Sequence, residues 1–159
     1  MMNDSAAIAR LLDLEAIKTL KHRYIRYMTQ SRWDELEGLM TEDVSTSYSD
    51  GKYAFGNRAD LLRFLRDSHD AAQTHILGYW HVTMPEIEFS SRDEANGIWA
   101  MYHFFLDKHS QQQLEMFAYY EDSYRRTNDR WLIARTGYRR VMEQSFNRRD
   151  LPGLELLVG

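Results

Sequence analysis

A chain of 159 residues with 43 % hydrophobic and 28 % charged residues is long enough for one globular domain, spanning 1–159, to bury a core unaided. A formal net charge of −4 with scattered basic residues excludes the electrostatic footprint of a nucleic-acid binder, and the lack of cysteine excludes a disulfide framework and Cys-ligated zinc. No run reaches the roughly 18 apolar residues of a membrane span, and the acidic start MMNDSAAIARLLDLE does not read as a secretory signal, so a cytoplasmic protein is expected.

Asp4 or Ser5 can cap a first helix in which Ile8, Leu11, Leu14, Ile17, Leu20, Tyr24 and Met28 recur every three or four residues. Lys18, Lys21 and Arg23 are read as lying away from that stripe, which leaves Tyr24 as its polar-tipped member. Ser31 and Asp34 resemble a capping box for a short second helix carrying Trp33, Leu36, Leu39 and Met40. Glu42 to Ser49 alternates weakly, and Asp50-Gly51 signals a hairpin into Lys52 to Phe55. Asn57, with Asp60 three residues on, caps a third helix whose inner face is Leu61, Leu62, Phe64 and Leu65.

From His75 the period changes to two. His75, Leu77, Tyr79, His81 and Thr83 share one side, with Ile76, Trp80 and Val82 on the other, and Pro85 marks an edge or a bulge. In Glu94 to Asp107, one face carries Ala95, Gly97, Trp99, Met101, His103 and Phe105. Its opposite row, Asn96 to Leu106, is also largely apolar, so both faces are expected to be covered by protein. His103 is therefore either a core residue or one wall of a pocket. Leu114 to Arg126 is a long strand with Tyr120, Asp122 and Tyr124 on one face. Asn128-Asp129 makes a tight turn, Trp131 to Glu143 closes the sheet, and the last residues read as a tail. Helices first and long strands afterwards give an α+β fold: about three helices on a strongly curved, mostly antiparallel sheet. Long strands curl, so a cone enclosing a pocket is permitted.

The phrases DLEAIKTLKHRYIRYM, RWDELEGLM, TSYSDGK, MPEIEF, YYEDSYRR and ARTGYRRV, in this order, resemble the SnoaL-like branch of the NTF2-like superfamily over about Leu12 to Glu143. Within it they look most like bile-acid 7α-dehydratase, and more distantly like scytalone dehydratase and a dehydrochlorinase. The dehydratase pattern is a helix tyrosine, an aspartate five residues later, a strand histidine before PEIE, an acid on the next strand and an arginine on the last. Tyr24 and Arg140 match. Thr29 stands at the aspartate position, Trp80 at the histidine position with His81 one residue later, and His103 at the acid position. Tyr48 matches a pocket tyrosine.

The resemblance implies a cofactor-independent dehydratase or isomerase acting on an apolar polycyclic compound such as a steroid or polyketide. Loss of water needs a base, an acid and donors to a developing enolate. His103, whose unperturbed pKa would sit near 6.5, is the leading proton-transfer candidate. Tyr24, His81 and Arg140 complete the catalytic set, while Tyr48, Thr29, Trp80, Trp99, Met101, Phe105 and Tyr120 are expected to bind substrate. His75 and His81 share a strand face but lack the carboxylate spacing of a metal site, so no metal is expected. Two other readings stay open: a non-catalytic binder of the same ligand type, favoured by the missing Asp-His pair, and a protein-interaction module. The resemblance also implies a homo-oligomer, dimer or trimer.

Overall fold

The structure, a computed structural model, describes residues 4–158. Its elements run α1 (Asp4–Thr29), α2 (Trp33–Glu37), β1 (Met40–Tyr48), β2 (Tyr53–Phe55), α3 (Arg58–His69), β3 (Ile76–Phe89), β4 (Glu94–Asp107), β5 (Gln112–Thr127) and β6 (Arg130–Asn147), with a short 3-10 turn at Arg148–Asp150. The strands form one sheet in the order β2-β1-β6-β5-β4-β3. The β1–β6 pair is parallel and the others are antiparallel. Three helices pack on this curved, unclosed sheet.

Local signals account for most joints. Asn57 caps α3 by accepting the Asp60 amide at 2.9 Å. Ser49, Asp50 and Gly51 all take positive φ in the four-residue β1–β2 loop, and Asn128 and Asp129 do so at the β5–β6 hairpin, where a two-residue turn demands that conformation. Register shifts at Phe117/Ala118 and Ser123/Tyr124 bend the β5–β6 ribbon, which coils the long strands around the helices. At Gly137 a Cβ would lie 2.5 Å from the Ser47 carbonyl oxygen. Glycine there lets β1 close on β6, which stacks Tyr48 on Tyr138 with ring centroids 5.5 Å apart.

Several expectations need correction. The helix of Trp33 ends at Glu37, so Leu39 and Met40 lie beyond it, with Met40 opening β1. Its N-cap is Arg32, with no side-chain cap, because Ser31 instead accepts the Ala71 amide. Ile8 and Leu11 are exposed, and the buried face of α1 begins at Ile17. The strand Trp131 to Glu143 was expected to close the sheet, but β6 is central and extends to Asn147. The outer face of the β4 ribbon is open within the chain: Ile98, Phe117 and Tyr119 stay 43 %, 39 % and 48 % exposed.

Lys21 is the largest departure. It falls four residues after Ile17 and three before Tyr24, so it sits on the buried side of α1, and its side chain is fully enclosed. Asp122 on β5 meets its ammonium at 2.7 Å, also fully enclosed. The same Asp122 oxygen accepts the Tyr124 hydroxyl at 2.8 Å, and that hydroxyl accepts the Trp99 indole N–H at 2.9 Å. The ring of Tyr120 lies 3.4 Å beneath the ammonium, a cation–π contact that helps replace lost hydration.

Candidate active site

The open end of the cone holds a cavity of about 460 Å³. Its wall draws on Tyr24 from α1, Tyr48 from the end of β1, His69 from α3, Trp80 from β3, His103 and Phe105 from β4, Tyr120 from β5, and Tyr138 and Arg140 from β6. Strand parity puts His103 inside, as the alternation of β4 predicts, and cross-strand pairing sets it opposite Trp80. The two rings stack nearly parallel, 10° apart with centroids at 4.6 Å.

His81 does not share this cavity. The register between β3 and β4 is unbroken from Ile76 to Thr83 and shifts only between Thr83 and Glu86, where Met84 takes φ 49°. The bulge lies after His81, so it cannot turn that side chain inward. His81 instead borders a separate groove between α1 and β3, together with His22, Arg26 and Thr29. The Thr29 hydroxyl donates back to the Ile25 carbonyl at 3.0 Å. Trp99 and Met101 are buried deeper, outside the cavity lining. Of the residues singled out from sequence, Tyr24, Tyr48, Trp80, His103, Phe105, Tyr120 and Arg140 come together; His81, Thr29, Trp99 and Met101 do not.

Sequence reasoning missed His69. It occupies the last turn of α3, four residues after Leu65 and seven after Leu62, so it continues the inner face of that helix. That spacing was the available signal. Its ring centroid lies 5.1 Å from that of Trp80 and 6.5 Å from that of His103.

The electrostatics are those of a dry site. Burial pushes the His103 imidazole down to about 3, with nearby His69 adding to the effect. Burial likewise lowers His69 to about 4, partly offset by the Leu65 carbonyl one turn back. Both rings are therefore neutral at pH 7, which corrects the expectation of a histidine poised near neutrality. Nε2 of His103 and Nδ1 of His69 are buried without hydrogen-bond partners. Across the cavity the Tyr24 and Tyr48 hydroxyls bond to each other at 3.0 Å. Burial raises both phenols, so they act as neutral donors. At the rim, Arg140 is held by Asp50 at 2.5 and 3.0 Å and by Glu143 at 3.4 Å.

Among the described residues no group of three metal ligands assembles, and no helix is long and apolar enough to cross a membrane.

Solved structures share this architecture. A protein provisionally named a scytalone dehydratase from Novosphingobium aromaticivorans DSM 12444 is 19 % identical with a TM-score of 0.78, the match covering 87 % of this chain and 90 % of that one. The hexachlorocyclohexane dehydrochlorinase LinA-type3 from Novosphingobium barchaimii LL02 is 18 % identical at a TM-score of 0.80, covering 96 % and 99 %. An NTF2-like protein with a cystatin-like fold, also from N. aromaticivorans, is 20 % identical at 0.72, covering 89 % and 92 %. These likenesses establish the cone fold. The SnoaL-like domain matches residues 9–137, most of the chain, and the chain therefore belongs to the SnoaL-like family.

Proposed function

We propose that the protein is a cofactor-independent lyase or isomerase that moves a proton within an apolar, polycyclic substrate of steroid or polyketide type. The observation that carries this reading is the unpartnered Nε2 of His103 on the wall of a cavity that the neutral Tyr24 and Tyr48 phenols also line. His103 removes a proton from the carbon next to a carbonyl. Within the Tyr24–Tyr48 pair one hydroxyl donates to the other, and the hydroxyl that accepts keeps its own proton for the enolate oxygen. The imidazolium that forms is strongly acidic because the cavity does not solvate it. It therefore returns its proton readily, to a departing hydroxyl in a dehydration or to another carbon in an isomerisation. Either route restores neutral His103. Arg140 at the rim orients the substrate as it enters.

The neighbours named for dehydration and dehydrochlorination support an elimination on this fold, and the narrower likeness to bile-acid 7α-dehydratase rests on Tyr24, Tyr48 and Arg140. The test is a screen of hydroxylated steroids and polyketides for loss of water. His103→Gln should abolish turnover of a hit that still binds, and equal activity in that variant would sink the assignment.

A second reading, a non-catalytic binder, is favoured by two features: Trp80 stands at the place of the family histidine, and Thr29 is bonded to its own helix. Retained binding with no turnover of any compound in the screen would select it. The exposed Ile98, Phe117 and Tyr119 support a homo-oligomer formed through the outer sheet face. Sedimentation velocity should give a species larger than one chain, and Tyr119→Lys should shift it toward the monomer.

A further inference from the structure

Most polar groups on the cavity wall are already engaged with protein. Tyr24 bonds Tyr48, Tyr138 bonds Ser49, and Arg140 is held by Asp50. His69 and His103 differ. Neither imidazole bonds another side chain, although the Leu65 carbonyl lies one turn back from His69; both rings border the same space, and each has a buried nitrogen outside hydrogen-bond geometry with any protein group. A buried polar atom left this way is costly unless something else meets it.

The distances suit a single atom between the rings. An oxygen hydrogen-bonded in the plane of an imidazole lies about 4 Å from the ring centroid, so two such reaches easily span the gap. That gap is 6.5 Å between centroids. Trp80 packs against both rings, 5.1 Å from His69 and 4.6 Å from His103, and fixes their separation. Chemistry narrows the choice of occupant. Each neutral imidazole offers one N–H and one lone pair. A hydroxyl, which donates once and accepts as well, can take an N–H from one ring and give its own proton to the other. A carboxylate or an ammonium would bring into this buried space a charge that two neutral rings do not offset.

From this geometry we infer that His69 and His103 form a two-imidazole clamp for one hydroxyl group of the ligand, with His69 a substrate-contacting residue in its own right. The inference rests on the reading of this cavity as a small-molecule site and deepens it: the ligand is an alcohol, enol or phenol whose hydroxyl enters first, beside Trp80, with its ring system against the tyrosines. In a dehydration that hydroxyl is the departing group, already within reach of the proton that His103 has taken.

The test uses the whole chain labelled with ¹⁵N in histidine and two probes, 2-naphthol and naphthalene. The expected result is that 2-naphthol shifts the ring nitrogens of both His69 and His103, whereas naphthalene leaves their tautomers unchanged. His69→Leu should then weaken 2-naphthol by about three- to tenfold, the effect of one hydrogen bond, and naphthalene by less than twofold. A response of only one imidazole to 2-naphthol, or equal weakening of both probes by His69→Leu, overturns the clamp while leaving the cavity reading intact. Failure of both probes to bind the wild-type chain overturns the clamp and the cavity reading together. The wild-type spectra decide the matter even if the variant does not fold.

Discussion

The closed and open ends of the cone bury ionisable groups in opposite ways. At the closed end Lys21 and Asp122 are both fully enclosed and lie 2.7 Å apart, with Tyr120 and Tyr124 beside them. At the open end His103 is buried and His69 half-buried, and each keeps an enclosed nitrogen outside hydrogen-bond geometry with protein. The first pair is met within the protein, ammonium against carboxylate; the second pair has lost its charge and keeps its hydrogen-bonding capacity for something that arrives from outside. Burial alone therefore does not mark a site. What marks it is burial without a partner, at a surface that a ligand can reach.

Breaking the closed-end pair should have the largest effect. Lys21→Met leaves Asp122 buried and uncompensated, and should lower stability by about 3–5 kcal/mol in urea denaturation. Replacing both partners, Lys21→Met with Asp122→Leu, should recover most of that loss. A single variant as stable as the wild type would remove the contrast between the two ends.

The histidines sharpen the comparison through pH. The folded pKa of His69 is depressed to about 4, whereas the unfolded chain titrates near 6.5. Below pH 6.5 the unfolded state binds more protons, so stability falls as pH drops from 6.5 toward 4 and is insensitive to this group above that window. Between pH 7 and pH 5, His69 should account for about 2 kcal/mol of lost stability. The difference in urea midpoint between the two pH values should accordingly be smaller in His69→Gln than in the wild type. Tyr24→Phe should have a lesser effect, about 1 kcal/mol from the lost bond to Tyr48, together with slower turnover of any hit from the screen. Arg140→Gln should leave the melting temperature unchanged, because its partners Asp50 and Glu143 are at the surface.

How much of this was legible beforehand depended on how far apart the deciding residues lie in the chain. The α3 cap, the two hairpins and the inward face of β4 follow from residues within a few positions of one another, and all three were readable. The Lys21–Asp122 pair was not: the charge of Lys21 reads as placing it off the apolar stripe, although its spacing to Ile17 and Tyr24 puts it on the buried side, and helical spacing says nothing of a carboxylate on a distant strand. Trp80 and His81 turned on the location of one bulge: Pro85 announced an irregularity, and only the pairing with β4 showed that it falls after both residues. His69 was readable from its spacing to Leu62 and Leu65, but its role depended on which strands α3 faces. The depressed pKa of His103 required the packed surroundings of the ring, which no local pattern carries.

The bulge in β3 also bears on solubility. β3 is an edge strand, and an unpaired edge invites another chain to extend the sheet. Its second half is poorly suited to such templating: Met84 takes a left-handed conformation, Pro85 lacks an amide proton, and Glu86 and Glu88 place like charges along the strand. The first half, Ile76 to Val82, has no such guard. That stretch also carries Trp80, so a chain added along this edge would lie against the segment that shapes the cavity.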